Sequence, residues 1–115
     1  MLRIDVDEIG VNADLDHGEG CIVVVWKDEM SIQRTLKVDI DGFCSRDMPI
    51  RSGRGLIDAS LGERHLKLEF TSDLGKNLEL DTIVELRWTS LNCEPEHLEA
   101  FIDHLAIEAN PPNNT

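Results

Sequence analysis

Apolar and polar residues alternate one for one along much of this chain, and that period of two confines it to half-buried β-strands, because successive side chains of an extended backbone point to opposite faces. Leu2, Ile4 and Val6 interleave with Arg3, Asp5 and Asp7, and Leu66, Leu68 and Phe70 interleave with Lys67 and Glu69. Ile32, Arg34, Leu36, Val38 and Ile40 alternate with Gln33, Thr35, Lys37 and Asp39, and Val84, Leu86 and Trp88 with Ile83, Glu85, Arg87 and Thr89. A helix repeats its faces every three or four residues and would scatter each set around its circumference. The first strand is short and is expected at a sheet edge. Cys21 to Trp26 is a continuous apolar run rich in β-branched residues, which predicts a central strand covered on both faces. It pairs most economically with the alternating segment beyond the Lys27-Asp28-Glu29 turn, and Leu56 to Leu61 pairs likewise with His65 to Thr71 across Gly62-Glu63-Arg64. Arg34 falls on the apolar side of its strand, which places it near a strand end or with its guanidinium reaching water.

Elsewhere the alternation stops. Ile9 to Gly20 carries Asn, Asp and Gly at loop density, and Gly42 to Gly55 combines Pro49, Gly53 and Gly55 with Arg46, Arg51 and Arg54, so both read as loops, the second basic. Ser72-Asp73 can cap a short helical turn ending at Leu78, with Gly75 limiting its length. Asn92-Cys93-Glu94-Pro95-Glu96 is the best helix start, since Pro suits the first turn and carboxylates there oppose the positive end of the helix dipole. That helix is expected to reach about Ala109, with Leu98, Phe101, Ile102, Leu105 and Ala106 on its apolar face and Glu96, Glu99, Asp103 and Glu108 toward solvent. The expected class is α+β: a mainly antiparallel sheet of about six strands with a C-terminal amphipathic helix packed on one face. The length suits a single domain over residues 1–109, followed by a flexible C-terminal tail at 110–115.

Charge bears on partners rather than fold. Twenty-three Asp and Glu against eleven Lys and Arg give a net charge of -12, so phosphate-rich nucleic acid and anionic membranes are disfavoured and a cationic protein partner is favoured. The longest apolar run is too short for a membrane span or signal core, and three cysteines without pair spacing suit a reducing compartment, so a cytoplasmic location is expected.

Few residues suggest chemistry, and none in a complete pattern. Asn12, Asp14 and Asp16 alternate before Gly18 as oxygen ligands of calcium would, but the glycine is one place late for an EF-hand loop and Val23 stands where the bidentate Glu belongs. Cys93 and His97 lie four apart with His104 beyond them, a partial zinc spacing with no second pair nearby in sequence. Cys44 beside Arg46 suggests a thiol of lowered pKa, with His17, His65, His97 or His104 as a base, yet nothing in the sequence unites them. The arginine loop matches neither a Walker loop nor a dinucleotide fingerprint, and internal pairing with carboxylates is the simpler expectation. Trp26 and Trp88 read as core or strand-edge packing. No catalytic, metal-binding or cofactor-binding residue is therefore expected.

The order of Gly55-Leu56-Ile57-Asp58-Ala59, Leu66 to Phe70, Thr71-Ser72-Asp73-Leu74-Gly75, Ile83-Val84-Glu85-Leu86 and Leu98 to Leu105 resembles that of small immunity proteins of bacterial polymorphic toxin systems, immunity family 10 in particular. The resemblance covers about half the chain, rests mainly on the Leu74-Gly75 turn and its spacing to Ile83, and carries over no functional residue. It implies an α+β domain that binds a cognate toxin and covers its active surface, with a cationic toxin domain as partner. Independently, exposed loop and turn carboxylates are the expected partner contacts: Asp14, Asp16 and Glu19 in the first loop, Asp28 and Glu29 in the hairpin turn. The competing readings are an acidic secretion chaperone or other homodimeric binding module, and thirdly a small enzyme. Secretion chaperones of this size usually begin with a helix, whereas this chain begins with a strand.

Overall fold

The computed structural model describes residues 1–47 and 51–107, with backbone only for Arg51 and Ser52. The chain forms β1 (Leu2–Asp5), β2 (Glu8–Asp14), a 3-10 turn (Leu15–His17), β3 (Glu19–Lys27), β4 (Gln33–Asp39), β5 (Phe43–Arg46), β6 (Arg51–Arg54), β7 (Leu56–Leu61), β8 (His65–Phe70), α1 (Ser72–Leu78), β9 (Ile83–Arg87) and α2 (Pro95–His104). The fold is α+β, as the alternation implies, but the described residues form nine strands divided between two sheets. A five-stranded antiparallel meander runs in the order β2-β3-β4-β5-β6, and a four-stranded sheet runs β1-β9-β8-β7 with a single parallel pairing, β1 to β9.

The chain passes between sheets within two residues. The Val6 N–H donates to the Arg87 carbonyl in the four-stranded sheet and the Asp7 N–H donates to the Val25 carbonyl in the other. Ile22, Val24, Leu36, Val38 and Cys44 from one sheet and Leu66, Leu68, Phe70, Val84 and Leu86 from the other join a single buried cluster. Each of these larger aliphatic side chains contributes roughly 1.5–3 kcal/mol by leaving water. The helix α2 lies against β2 and β7, one edge strand of each sheet, and buries Leu98 and Phe101, while Leu105 just past its end is also buried.

Several expectations are corrected. Of the loop expected from Ile9 to Gly20 only Leu15 to Gly18 is a turn: β2 pairs along its whole length with β3, since backbone hydrogen bonding and burial of Ile9 outweigh the turn propensity of its Asn and Asp residues. Gly42 to Gly55 contains the β5–β6 hairpin, which adds two strands to the sheet at its β4 edge. Gly55, at φ 141°, makes the passage from β6 to β7 where a Cβ would collide with Thr71 and Leu74. β3 is covered on one face only: Ile22, Val24 and Trp26 are buried, while Cys21, Val23 and Val25 are half-buried on the other. The cap of α1 is Thr71, whose hydroxyl accepts from the Leu74 N–H at 3.2 Å, rather than Ser72 or Asp73. α2 ends at His104, because the Ala106 N–H donates to the Ile40 carbonyl and draws the chain out of the helix. The expected tail at 110–115, with residues 108 and 109, lies outside the described residues. Both tryptophans are buried, Trp26 at 6% and Trp88 at 9% exposure.

Candidate functional site

The register of the meander sorts its outward side chains into rows. Gly10, Val23, Lys37 and Ser45 form one row across β2 to β5; Asn12, Cys21 and Asp39 form the next, and Asp14 and Glu19 face each other at its end. Phe43 opens β5 on the same face, opposite Arg54, and is 36% exposed. The result is a low-relief sheet face with Cys21, Val23 and Phe43 as its apolar part. Gly10 leaves open space beside Val23, since an added Cβ there would meet nothing within 4 Å.

Acidic residues gather at one end of this face. Asp14 and Glu19 close the β2–β3 hairpin, Asp16 lies in its connection, Asp39 ends β4 and Asp41 lies in the turn to β5. Basic side chains within that group are fewer: His17 bonds Asp14 at 2.8 Å, Lys37 approaches Asp39 at 3.7 Å, and Arg54 reaches Asp41 at 3.3 Å. Of the acidic contacts expected from sequence, Asp14, Asp16 and Glu19 thus come together. Asp39 and Asp41 were missed. Their signal was positional, since a β4–β5 turn only exists once Phe43 to Arg46 is recognised as a strand.

Asp28 and Glu29 stand at the opposite end of β3, about 26 Å away for eight strand steps. Asp28 is committed internally: its carboxylate accepts from the Met30 N–H at 2.8 Å, the Ile32 N–H at 3.0 Å and Arg34 Nε at 2.9 Å. The Ile32 N–H, with Met30 and Arg34 adding to it, holds this carboxyl below its ordinary value against the opposing effect of burial. Because the folded value is the lower one, the stabilisation from ionised Asp28 is complete above the ordinary value of 3.8 and is lost as pH falls through the folded value. A carbon-detected titration of the Asp28 carboxyl should give a midpoint below 3.8, and Asp28→Ala should remove the pH-dependent order of the turn. Arg34 continues the network to Asp47 at 3.5 Å, and Asp47 also accepts from the Thr35 N–H at 2.8 Å. Arg34 therefore sits at the end of its apolar face, fixed by two carboxylates. Glu29 is exposed beside two exposed apolar residues, Met30 and Ile32.

Two arginines of the β5–β6 hairpin, Arg46 and Arg54, are engaged by other residues of the chain, the first mostly buried and the second at the surface. Arg46 donates from Nη1 to the carbonyls of Leu78 and Glu79, each at 3.0 Å, from Nε to Asp47 at 3.2 Å, and lies 5.7 Å from the Trp26 ring centre. Arg54 donates to the Asp41 carbonyl at 2.8 Å. Both pair internally.

The cysteines are free thiols. Cys44, expected to be activated by Arg46, is instead buried with its Sγ toward the Gly42 carbonyl, and burial, with Asp39 and Asp41 adding to it, pushes its pKa up to about 12. Arg46, two residues on and on the same side of β5, does not reverse this, because its guanidinium is engaged by the Leu78 and Glu79 carbonyls and by Asp47. Brief iodoacetamide treatment of the native protein near neutral pH, read by peptide mass spectrometry, should label Cys21 and spare Cys44 until denaturant is added. Burial also raises the Cys93 pKa, and His104 Nδ1 lies 2.9 Å from the Ala100 carbonyl one turn back. Among the described residues no three His, Cys, Asp or Glu side chains converge as metal ligands, and no helix is long and apolar enough to cross a membrane. Comparison with known protein families, curated proteins and solved structures finds no match.

Proposed function

We propose that this protein is an acidic binding domain that neutralises a bacterial toxin by direct docking in the cytoplasm of the producing cell, as its resemblance to immunity proteins implies. The observation that carries this reading is the meeting of Asp14, Asp16, Glu19, Asp39 and Asp41 at one end of an uncovered sheet face whose apolar part is Cys21, Val23 and Phe43. Carboxylates in that position steer a cationic surface toward the apolar patch, and the patch supplies contact area once water is expelled. Self-association through the same face would bring like charges together, which favours a basic partner over a second copy. The test is coexpression with the product of the gene beside its own, scoring survival of the host. Protected cells support the reading, and cells that die as readily with the protein as without it end it. Association with that product should slow as salt is raised.

A further inference from the structure

We infer that the tip of the β3–β4 hairpin, Glu29 to Ile32, is the apolar anchor of that interface, seated in an apolar pocket of the cationic partner, while the acidic end of the sheet sets how fast the two meet. The inference rests on the protein-binding reading above and assigns its parts. Met30 is 78% exposed and Ile32 47% exposed, separated by a single serine. Isolated exposed apolar residues are ordinary on a soluble domain, but a pair on one projecting turn is a patch.

The tip is also built in advance of any contact. Asp28 takes the N–H groups of Met30 and Ile32 on one carboxylate oxygen and Arg34 on the other, and its backbone closes the turn through Ser31 N–H to its carbonyl at 2.9 Å and its own N–H to Ile32 at 3.0 Å. Arg34 and Asp47 tie the base of the turn to the end of β5. Ser31 is held at φ 62°, a left-handed conformation that a serine adopts only when its surroundings impose it. A turn fixed this way loses little conformational freedom on docking, so burial of the two side chains appears almost undiminished as affinity. Methionine adds a flexible, polarizable end that adapts to the pocket it enters.

Charge and size select the occupant. The chain carries -12 overall and Glu29 stands beside Met30, so the pocket belongs to a surface of opposite sign. From the tip to the acidic end is about 26 Å along β3, close to the width of a standard interface of roughly 800 Å² per partner. One docked protein therefore reaches both ends of the face.

The test uses binding kinetics with the neighbouring gene's product, inactivated and immobilised. Met30→Ser combined with Ile32→Ser should speed dissociation about thirtyfold or more, leave association within about twofold, and leave the thermal midpoint unchanged. Asp16→Asn combined with Glu19→Gln should do the converse, slowing association and flattening its salt dependence while dissociation holds. Tight wild-type binding with unchanged dissociation in the tip variant overturns the inference and leaves the protein-binding reading standing. No wild-type binding ends both. Dimerisation of the wild type, or its binding to phosphatidylglycerol vesicles, lost in the tip variant would give the tip to a second copy or to lipid, and would likewise overturn the inference.

Discussion

Phe101→Ala should lower stability by about 3–5 kcal/mol, read as a shift of the urea midpoint with little change in slope. Phe101 is fully buried on α2, and α2 bridges β2 and β7, so the ring fills the side of the molecule where the two sheets would otherwise part. Its removal leaves a cavity lined by rigid strand side chains that cannot collapse inward, which puts the cost in the upper part of the range for such deletions. Since a domain of this size is stable by only about 5–15 kcal/mol, the variant should also melt well below the parent protein. Phe101→Leu should restore most of the loss, because it replaces ring volume with branched aliphatic volume. A Phe101→Ala protein within 1 kcal/mol of the parent would mean that α2 is not part of the common core.

Arg46→Ala should cost about 2–4 kcal/mol although its side chain is charged. Only 15% of that side chain is exposed, and it satisfies two carbonyls at the end of α1, the Asp47 carboxylate and the face of Trp26 together. Truncation leaves the Leu78 carbonyl without its cation, and the Asp47 oxygen that Arg46 held keeps Arg34 at 3.5 Å while the other keeps the Thr35 N–H. The cost is thus a set of stranded acceptors rather than the loss of one surface pair. Arg46→Lys should recover less than half, since an ammonium cannot serve the paired carbonyls and the ring as a planar guanidinium does. Trp26 fluorescence should shift in both variants, reporting loss of the guanidinium from its ring.

How much of this was legible beforehand follows from where local pattern and tertiary context agree. β4, β8 and β9 each bury one set of alternate residues, so their period of two could be read directly, and Pro95 with Glu94 and Glu96 marked the start of α2 without help from elsewhere. β2 and β6 could not be read this way. β2 buries only Ile9 of its seven residues and is held by its ladder to β3, and the β5–β6 pair depends on a neighbour in β4 that local sequence does not announce. The division into two sheets was hidden for the same reason, since it turns on the Val6 and Asp7 N–H groups choosing different partners. Asp14, Asp16 and Glu19 were visible as a cluster because they are close in the chain, whereas Asp39 and Asp41 join them only through folding. The internal role of Asp28 was invisible because one carboxylate can either face a partner or close its own turn, and only the backbone path decides between them.

The parallel pairing of β1 with β9 sets the order in which a newly made chain can mature. Leu2 aligns with Val84, 82 positions downstream, whereas the neighbours within the meander lie beside each other in the chain. At synthesis rates of about 5–20 residues per second, the leading segment must wait several seconds for its mate to be translated. Until Arg87 has left the ribosome, Leu2 and Ile4 remain an unzipped apolar flap, and that interval is when a nascent copy is most open to capture by chaperones or by another unfinished chain.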